Sequence, residues 1–356
     1  MSDPTGVPYR LTRLGVLMEP DPTEPNEAEG VLNPASGRDA DGRWWLLPRI
    51  VAAGNVSRVG LAEILFTDGV PTGVRREAVV LEPDERWERS TDHAGVEDPR
   101  TTYLADLGVH TLTYVAYGPF GPRPALAVSD DVRSWTRLGP FHFEYQPALD
   151  ADLNFYPNKD VVIFPEPVPG PDGTPSYAVL HRPMWDLDWI VPGAGSPLPA
   201  GVTDDRPGIW ISYAPVDAVR ADVSRLTHLS GHRAVALSEH PFEVLKIGAG
   251  PHPVRIPEGW LLIHHGVSGA LVAGFEQQQG VNYGAGAMIL SADDPTVVLA
   301  RTSEPLLAPE TVDERSGIVP NVVFPTAIEE IGGRTFVFYG MADSKIGVAE
   351  LTRTRP

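Results

Sequence analysis

Apolar and polar positions alternate in short bursts along this chain, and one two-part phrase recurs five times. Its first half is a run rich in β-branched and aromatic residues: Trp44 to Ile50 (WWLLPRI), His110 to Gly118 (HTLTYVAYG), Tyr177 to Pro183 (YAVLHRP), Trp260 to Gly266 (WLLIHHG) and Arg334 to Gly340 (RTFVFYG). A strand of smaller residues follows each, beginning at Val59, Pro124, Gly208, Gly284 and Lys345. Short runs of this composition, bounded by Gly and Pro, predict β-strands. The first halves begin roughly 66 to 83 residues apart, which is room for a four-stranded antiparallel sheet with its loops. Repetition of one unit is a stronger guide than length, so the pattern predicts an all-β chain folded as a five-bladed β-propeller. Helical periodicity is sparse and broken by Pro; Asp217 to Leu229 (DAVRADVSRLTHL) is the best short helix.

Residues 1–30 are acidic and Pro-rich (MEPDPTEPNEAEG), which predicts an arm laid over the surface, with residues 31–356 forming a single propeller domain. Insertions at about 184 to 207 and 268 to 282 are expected to rim one mouth of the central channel, with Trp185, Trp189, Phe275 and the Gln run shaping a cleft.

Composition narrows the partners. The formal net charge is −19 and no Lys/Arg-rich run occurs, which argues against nucleic acid. With no Cys, thiol chemistry and Cys-ligated zinc are excluded. Neither a signal-peptide core nor a run of membrane-spanning length is present, and the expectation is a cytoplasmic protein without a membrane partner.

Charged and imidazole side chains interrupt the apolar strands: Arg49 and Arg58, then Asp98 and Arg100, then Lys159, Asp160, His181 and Arg182, then His264 and His265, and finally Asp343. Side chains converging on a central channel meet water or ligand rather than hydrocarbon. Clustered Arg, Lys and His suit an oxyanion, phosphate above all. An isolated Arg such as Arg58 also reads as a strand end in solvent, whereas Arg182 within YAVLHRP requires either a function or an ion pair. His264 and His265 alternate faces, so one of them is structural, and without a third ligand they make no metal site. Gly95 to Arg100 (GVEDPR) is the strongest local phrase: Pro99 biases Asp98 toward extended geometry at a strand start, with Arg100 near enough to set its charge state.

The ordered series LNPA, SRVGLAE, GVEDPR, NKDVVIFPE from Asn158, YAVLHRP, GAGPHPVRIPEGWLLIHHGV from Gly248, SADDP from Ser291, PNVVFP from Pro320 and YGMADSKIGVA from Tyr339 resembles glycoside hydrolase family 130, the β-mannoside phosphorylases and related mannosidases. The resemblance implies a five-bladed propeller and Asp98 as general acid, acting through a sugar hydroxyl. It implies phosphate contacts from Arg58, Lys159, Arg182 and His265, and sugar contacts from Asn33, Tyr283 and Asp343. Arg49, Arg100 and His181 join the substrate-binding candidates. No cofactor or metal is expected, inorganic phosphate being a co-substrate, and homo-oligomers are compatible with this picture. An inverting hydrolase needs an acid and a base, whereas phosphate arrives already anionic and needs cations instead. Glu97, Asp160 and Glu166 leave room for a base, so a β-mannosidase remains the alternative, with a noncatalytic sugar-binding propeller as a third.

Overall fold

A computed structural model describes residues 6–90, 93–188, 192–271 and 278–354. Among the described residues the chain is built of strands, with two short α-helices, Val216–Ala221 and Val312–Arg315. The first falls inside the predicted helical stretch, which continues as a 3-10 turn before the chain becomes a strand again at His228.

An N-terminal strand β1 (Tyr9–Met18) precedes a first set of β2 (Gly30–Arg38), β3 (Trp44–Ala52), β4 (Val56–Thr67) and β5 (Val70–Leu81). The second set is β6 (Ala94–Leu104), β7 (Val109–Gly118), β8 (Gly121–Ser129) and β9 (Thr136–Pro140), and the third is β10 (Asn158–Ile163), β11 (Pro175–Pro183), β12 (Ile209–Pro215) and β13 (His228–Ala236). The fourth is β14 (Lys246–Ala249), β15 (Gly259–Gly269), β16 (Val281–Leu290) and β17 (Val298–Arg301), and β18 (Val323–Ile331), β19 (Arg334–Met341) and β20 (Lys345–Arg353) follow. Within every set successive strands pair antiparallel. Hydrogen bonding groups these strands into four sheets, because a two-residue parallel bridge, Val56 to Ala94 and Ser57 to Gly95, joins the first two sets.

The expected surface arm does not hold over Tyr9–Met18. This stretch pairs with β20 from Tyr9 opposite Arg353 to Met18 opposite Ile346, and so completes the last set as its fourth strand. The acidic segment behind it had coloured the whole N-terminus, yet YRLTRLGVLM carries the mixed burial of an outer strand.

Apolar side chains form a cluster between each set and the next. Trp45, Leu61, Leu112 and Tyr114 pack between the first and second sets, and Leu126, Ile163, Val179 and Trp210 between the second and third. Leu180, Ile211, Leu262 and Met288 fill the space between the third and fourth, and Ile263, Ile289, Val337 and Ala349 that between the fourth and fifth. Val31, Leu46, Phe336 and Phe338 join the fifth set to the first. Trp185, expected at the mouth, belongs to the second of these clusters, edge-on to Trp210 with ring centroids 5.5 Å apart. Its neighbours bury it before it can reach a cleft. Trp189 and Phe275 lie outside the described residues.

The connector before each set carries a polar residue turned inward. Glu88 accepts from Tyr114 on β7 and Arg137 on β9, Glu243 from His264 on β15 and Arg301 on β17, and Glu314 from Tyr339 on β19 and Arg13 on β1. Glu27 holds Arg76 on β5, and Asn154 holds both backbone groups of Phe143 in the short strand beside β13. Each clamp also caps backbone N–H groups of its own connector or, for Asn154, of the outer strand, so the buried charge is neutralised and its acceptors are used.

Candidate active site

The first strand of three sets is interrupted at the same place. Between Leu32 and Ala35, between Glu97 and Arg100, and between Lys159 and Val162, two residues face one on the neighbouring strand. The first residue of each bulge, Asn33 (φ 40), Asp98 (φ 47) and Asp160 (φ 56), adopts the left-handed conformation that Asn and Asp tolerate better than other side chains. Asp98 therefore lies inside a strand rather than at its extended start, as expected from Pro99. A bulge re-aims the side chain it carries, and these three turn toward one place. Neighbouring glycines make the room: a Cβ on Gly340 would stand 2.0 Å from Asn33 Oδ1, and one on Gly248 would stand 2.2 Å from Asp160 Oδ2.

The cavity at this point measures about 360 Å³ and draws its walls from all five sets. Asn33, Arg49, Asp98, Lys159, Asp160, Arg182, Tyr283 and Asp343 line it, eight residues singled out from the sequence. Arg49 spans the acids, donating from Nη1 to Asp98 Oδ1 at 3.0 Å and from Nη2 to Glu97 Oε1 at 2.9 Å, while Ser57 Oγ accepts from its Nε at 2.8 Å. Asn33 Nδ2 also donates to Asp98 Oδ1, at 2.8 Å. No bond is made to Asp98 Oδ2 among the described residues, which leaves it as the oxygen available to the cavity.

Electrostatics divides two of the cavity's three carboxyls, Asp98 and Asp343. Burial favours the neutral form of Asp98, but Arg49, then Lys159, Asn33 and Arg100, outweigh it and hold the group below its ordinary value. Arg100, expected to set this charge, is the weakest of the four. Asp343, in the turn after β19, is pushed up to about 6, by burial first, with Arg49 opposing and Asp98 and Glu97 adding repulsion.

Three cations besides Arg49 line the same cavity. Lys159 Nζ lies 3.4 Å from Glu97 Oε2 and over the Tyr117 ring at 5.4 Å. Arg182 Nε donates to Asp160 Oδ2, while its Nη1 is buried without a partner among the described residues. Lys246 reaches the same cavity, 5.4 Å from the centre of the Tyr283 ring. Burial, then Arg182 and Lys159, lower its ammonium to about 7. Sequence reasoning passed over Lys246, because KIGAG reads as the lead-in to the GAGPHP phrase. The signal was a lone Lys opening a strand of small residues.

Other candidates are placed elsewhere. Arg58 is not among the cavity's lining residues; strand alternation sets it opposite Ile50 on the face away from Arg49, where it pairs with Glu82 at 3.5 Å. His181 is buried and bonds Asn158 at 3.0 Å and Ser212 Oγ at 2.8 Å, so it serves the third set's interior. Arg100 and His265 stand behind the wall. Arg100 Nη2 donates to Asp160 Oδ1 at 2.9 Å, and His265 Nε2 lies 3.5 Å from Asp160 Oδ2 without hydrogen-bond geometry. Burial keeps the His265 imidazole neutral, its value well below the ordinary one. His264 turns the opposite way to Glu243, as the alternation requires.

The possible bases are occupied. Asp160 is held far below the ordinary carboxylate range: burial opposes this, but the Arg182 and Arg100 guanidiniums overcome it. Glu97 is bound by Arg49 and Lys159, and Glu166 is exposed outside the cavity.

The arrangement is an acid pair facing Lys159, Arg182 and Lys246, and it sits in a recognisable sequence frame. Residues 28–355 match the family model described as beta-1,4-mannooligosaccharide phosphorylase. The chain belongs to glycoside hydrolase family 130. It is 30% identical over 279 residues to a beta-1,2-mannobiose phosphorylase of Thermoanaerobacter sp. (strain X514), covering 77% of this chain and 70% of that protein. Its fold is similar to that of a beta-1,2-mannobiose phosphorylase from Listeria innocua in complex with beta-1,2-mannobiose, with a TM-score of 0.68, 21% identity and 96% of each chain covered. It is also similar, with a TM-score of 0.70 and 23% identity over 98% of this chain and 95% of the other, to a structure reported under the statement that this family of mannoside phosphorylases contains hydrolases targeting beta-1,2 mannosidic linkages in Candida mannan.

Proposed function

We propose that this chain is an inverting β-mannoside phosphorylase that cleaves its substrate with inorganic phosphate to give α-mannose 1-phosphate and a shortened acceptor. The observation that carries it is the cation cluster of the cavity: Lys159, Arg182, whose Nη1 has no partner among the described residues, and Lys246 line one space with Asp98. Each of these groups gains a counter-charge when an oxyanion enters between them. Among the described residues Asp160 and Glu97 are committed to Arg and Lys partners, which disfavours a water-activating base and with it the hydrolase.

In this scheme phosphate held by the three cations attacks C1 of the mannosyl unit, and Asp98 Oδ2 supplies the proton that the departing glycosidic oxygen takes. The Asp98 carboxyl is ionised while Arg49 and Lys159 act on it alone. A phosphate dianion against Lys159 weakens that pull, so the acid gains its proton as its co-substrate arrives. Asn33, Tyr283 and Asp343 lie where they can hold the mannosyl hydroxyls. Asp343 supports a second reading: raised to about 6, it is the cavity carboxyl that keeps a proton closest to neutrality, so it is the alternative donor. The five sets, with an apolar cluster between each and the next and β1 bound to β20, support the finer reading of the fold as a closed five-bladed propeller with this cavity on its axis.

Incubation with β-1,2- and β-1,4-linked mannobiose, with and without phosphate, tests the proposal. It predicts mannose 1-phosphate with at least one linkage and no turnover without phosphate; free mannose released at equal rates in both buffers overturns it.

A further inference from the structure

The strands that carry the bulged residues run on to a second cavity, of about 420 Å³. On β2 the chain passes from Asn33 to Ser36, and on β6 from Asp98 to Thr101 and Tyr103, so by strand geometry the second cavity begins about 10 Å further along the same walls. The functional proposal makes no use of it, yet its size lies within the range of ligand sites, about 300–1,000 Å³.

Its floor is polar and its acceptors are only half used. Glu329 Oε1 accepts from Ser36 Oγ at 2.7 Å, and no bond is made to Oε2 among the described residues. His252 Nδ1 lies 3.2 Å from the Thr101 carbonyl oxygen, which only accepts, so the proton is on Nδ1 and Nε2 is left as an acceptor. Its rim is aromatic. The Tyr103 ring is 49% exposed and braced by His110, with centroids 4.6 Å apart. Trp44 stands beside it, half-buried under the Arg38 guanidinium at 5.6 Å.

Charge selects the occupant. The lining holds Asp39 and Asp130, together with Glu329, whose carboxyl burial pushes up to about 7 against the hydrogen bond from Ser36, and the single Arg38, so unlike the catalytic cavity it offers an oxyanion no cationic cluster. Among the described residues no group of three His, Asp or Glu stands close enough together to hold a metal ion. What remains is a neutral molecule with many hydroxyl donors for Glu329 and His252 and an apolar face for the Tyr103 ring. We propose that this second cavity is an accessory binding site for a neutral saccharide, one face of a pyranose stacking on Tyr103 and its hydroxyls donating to Glu329 and His252. A site of this kind holds a second saccharide on the chain while the first is processed.

The choice of a mannoside as probe rests on the function proposed above; the site does not. Isothermal titration of the full chain with β-1,2-mannobiose and with mannose, in phosphate-free buffer, reads the number of sites. Two saccharide sites per chain are expected, with Tyr103→Ala and Glu329→Gln each weakening the second at least tenfold while turnover at the first is unchanged. A single site per chain overturns the proposal, as do two sites that both survive both substitutions. Failure of the functional reading shows separately, as mannobiose that binds the wild type but is not cleaved when phosphate is added.

Discussion

Asp98 illustrates how one side chain is given a task by its neighbours. Its Oδ1 is tied to Asn33 and Arg49, which fixes the rotamer, and Arg49 and Lys159 outweigh burial to hold the carboxyl below its ordinary value; in the proposed scheme a phosphate that competes for Lys159 releases that hold. Asp98→Asn keeps the shape and removes the proton, so steady-state assays should show kcat falling by about 100-fold or more with an unchanged melting temperature. If Asp343→Asn instead gives the larger loss, the proton belongs to Asp343. Lys246 provides a pH test. Its charge is present below about 7 and lost above it, so the wild-type KM for phosphate should rise as pH increases from 7 to 9. Lys246→Arg, charged throughout that range, should lack this rise; parallel profiles would remove Lys246 from the phosphate site. The sequence displayed most of these residues but not their directions. Arg182, set in an apolar strand, already demanded a partner and Arg58 did not, but only the pairing of β11 with β10 and the alternation along β4 show that one reaches the cavity and the other Glu82.

At the scale of elements, the connectors are what local sequence reading failed to interpret. Glu88, Glu243 and Glu314 lie in charged, Pro-containing stretches that read as solvated loops, yet each is fully buried against an Arg and a Tyr or His of the set it precedes. Their partners are 21 to 58 residues away for Glu243, beyond any local pattern. Removing one carboxylate strands a buried guanidinium, so Glu243→Ala should cost about 3–5 kcal/mol in urea unfolding, against ~0.5 kcal/mol or less for an exposed residue such as Glu166. Acid acts on the same clamp. Burial opposes ionisation of Glu243, but the hydrogen bond from His264 and the charge of Arg301 hold its carboxyl at about 2, below an ordinary value of 4.5. The stability it contributes is present above pH 4.5 and is lost as pH falls toward 2, and Glu243→Gln should flatten that part of the stability profile. The strand phrases themselves were legible, because Gly- and Pro-bounded apolar runs need no distant partner to be recognised.

Across the whole molecule, the ends of the chain are brought together. β1 completes the last set, and local sequence shows the five repeats but not this strand's place, since its partner lies more than 300 residues away. Deleting residues 1–18 leaves β20 paired on one edge only and Glu314 without Arg13, so it should lower the melting temperature sharply and broaden the transition. An unchanged melt would show that the pairing contributes little. The cavity depends on this assembly, because Asn33, Asp98, Lys159, Lys246 and Asp343 come from different sets and meet only when all five are in register. What the assembled cavity favours is phosphate rather than water as nucleophile, and isotope labelling separates the two directly. Cleavage of a susceptible β-mannobiose in H₂¹⁸O with phosphate present should yield α-mannose 1-phosphate without ¹⁸O, the C1 oxygen coming from phosphate. Mannose carrying ¹⁸O at C1 as the first-formed product would contradict the account.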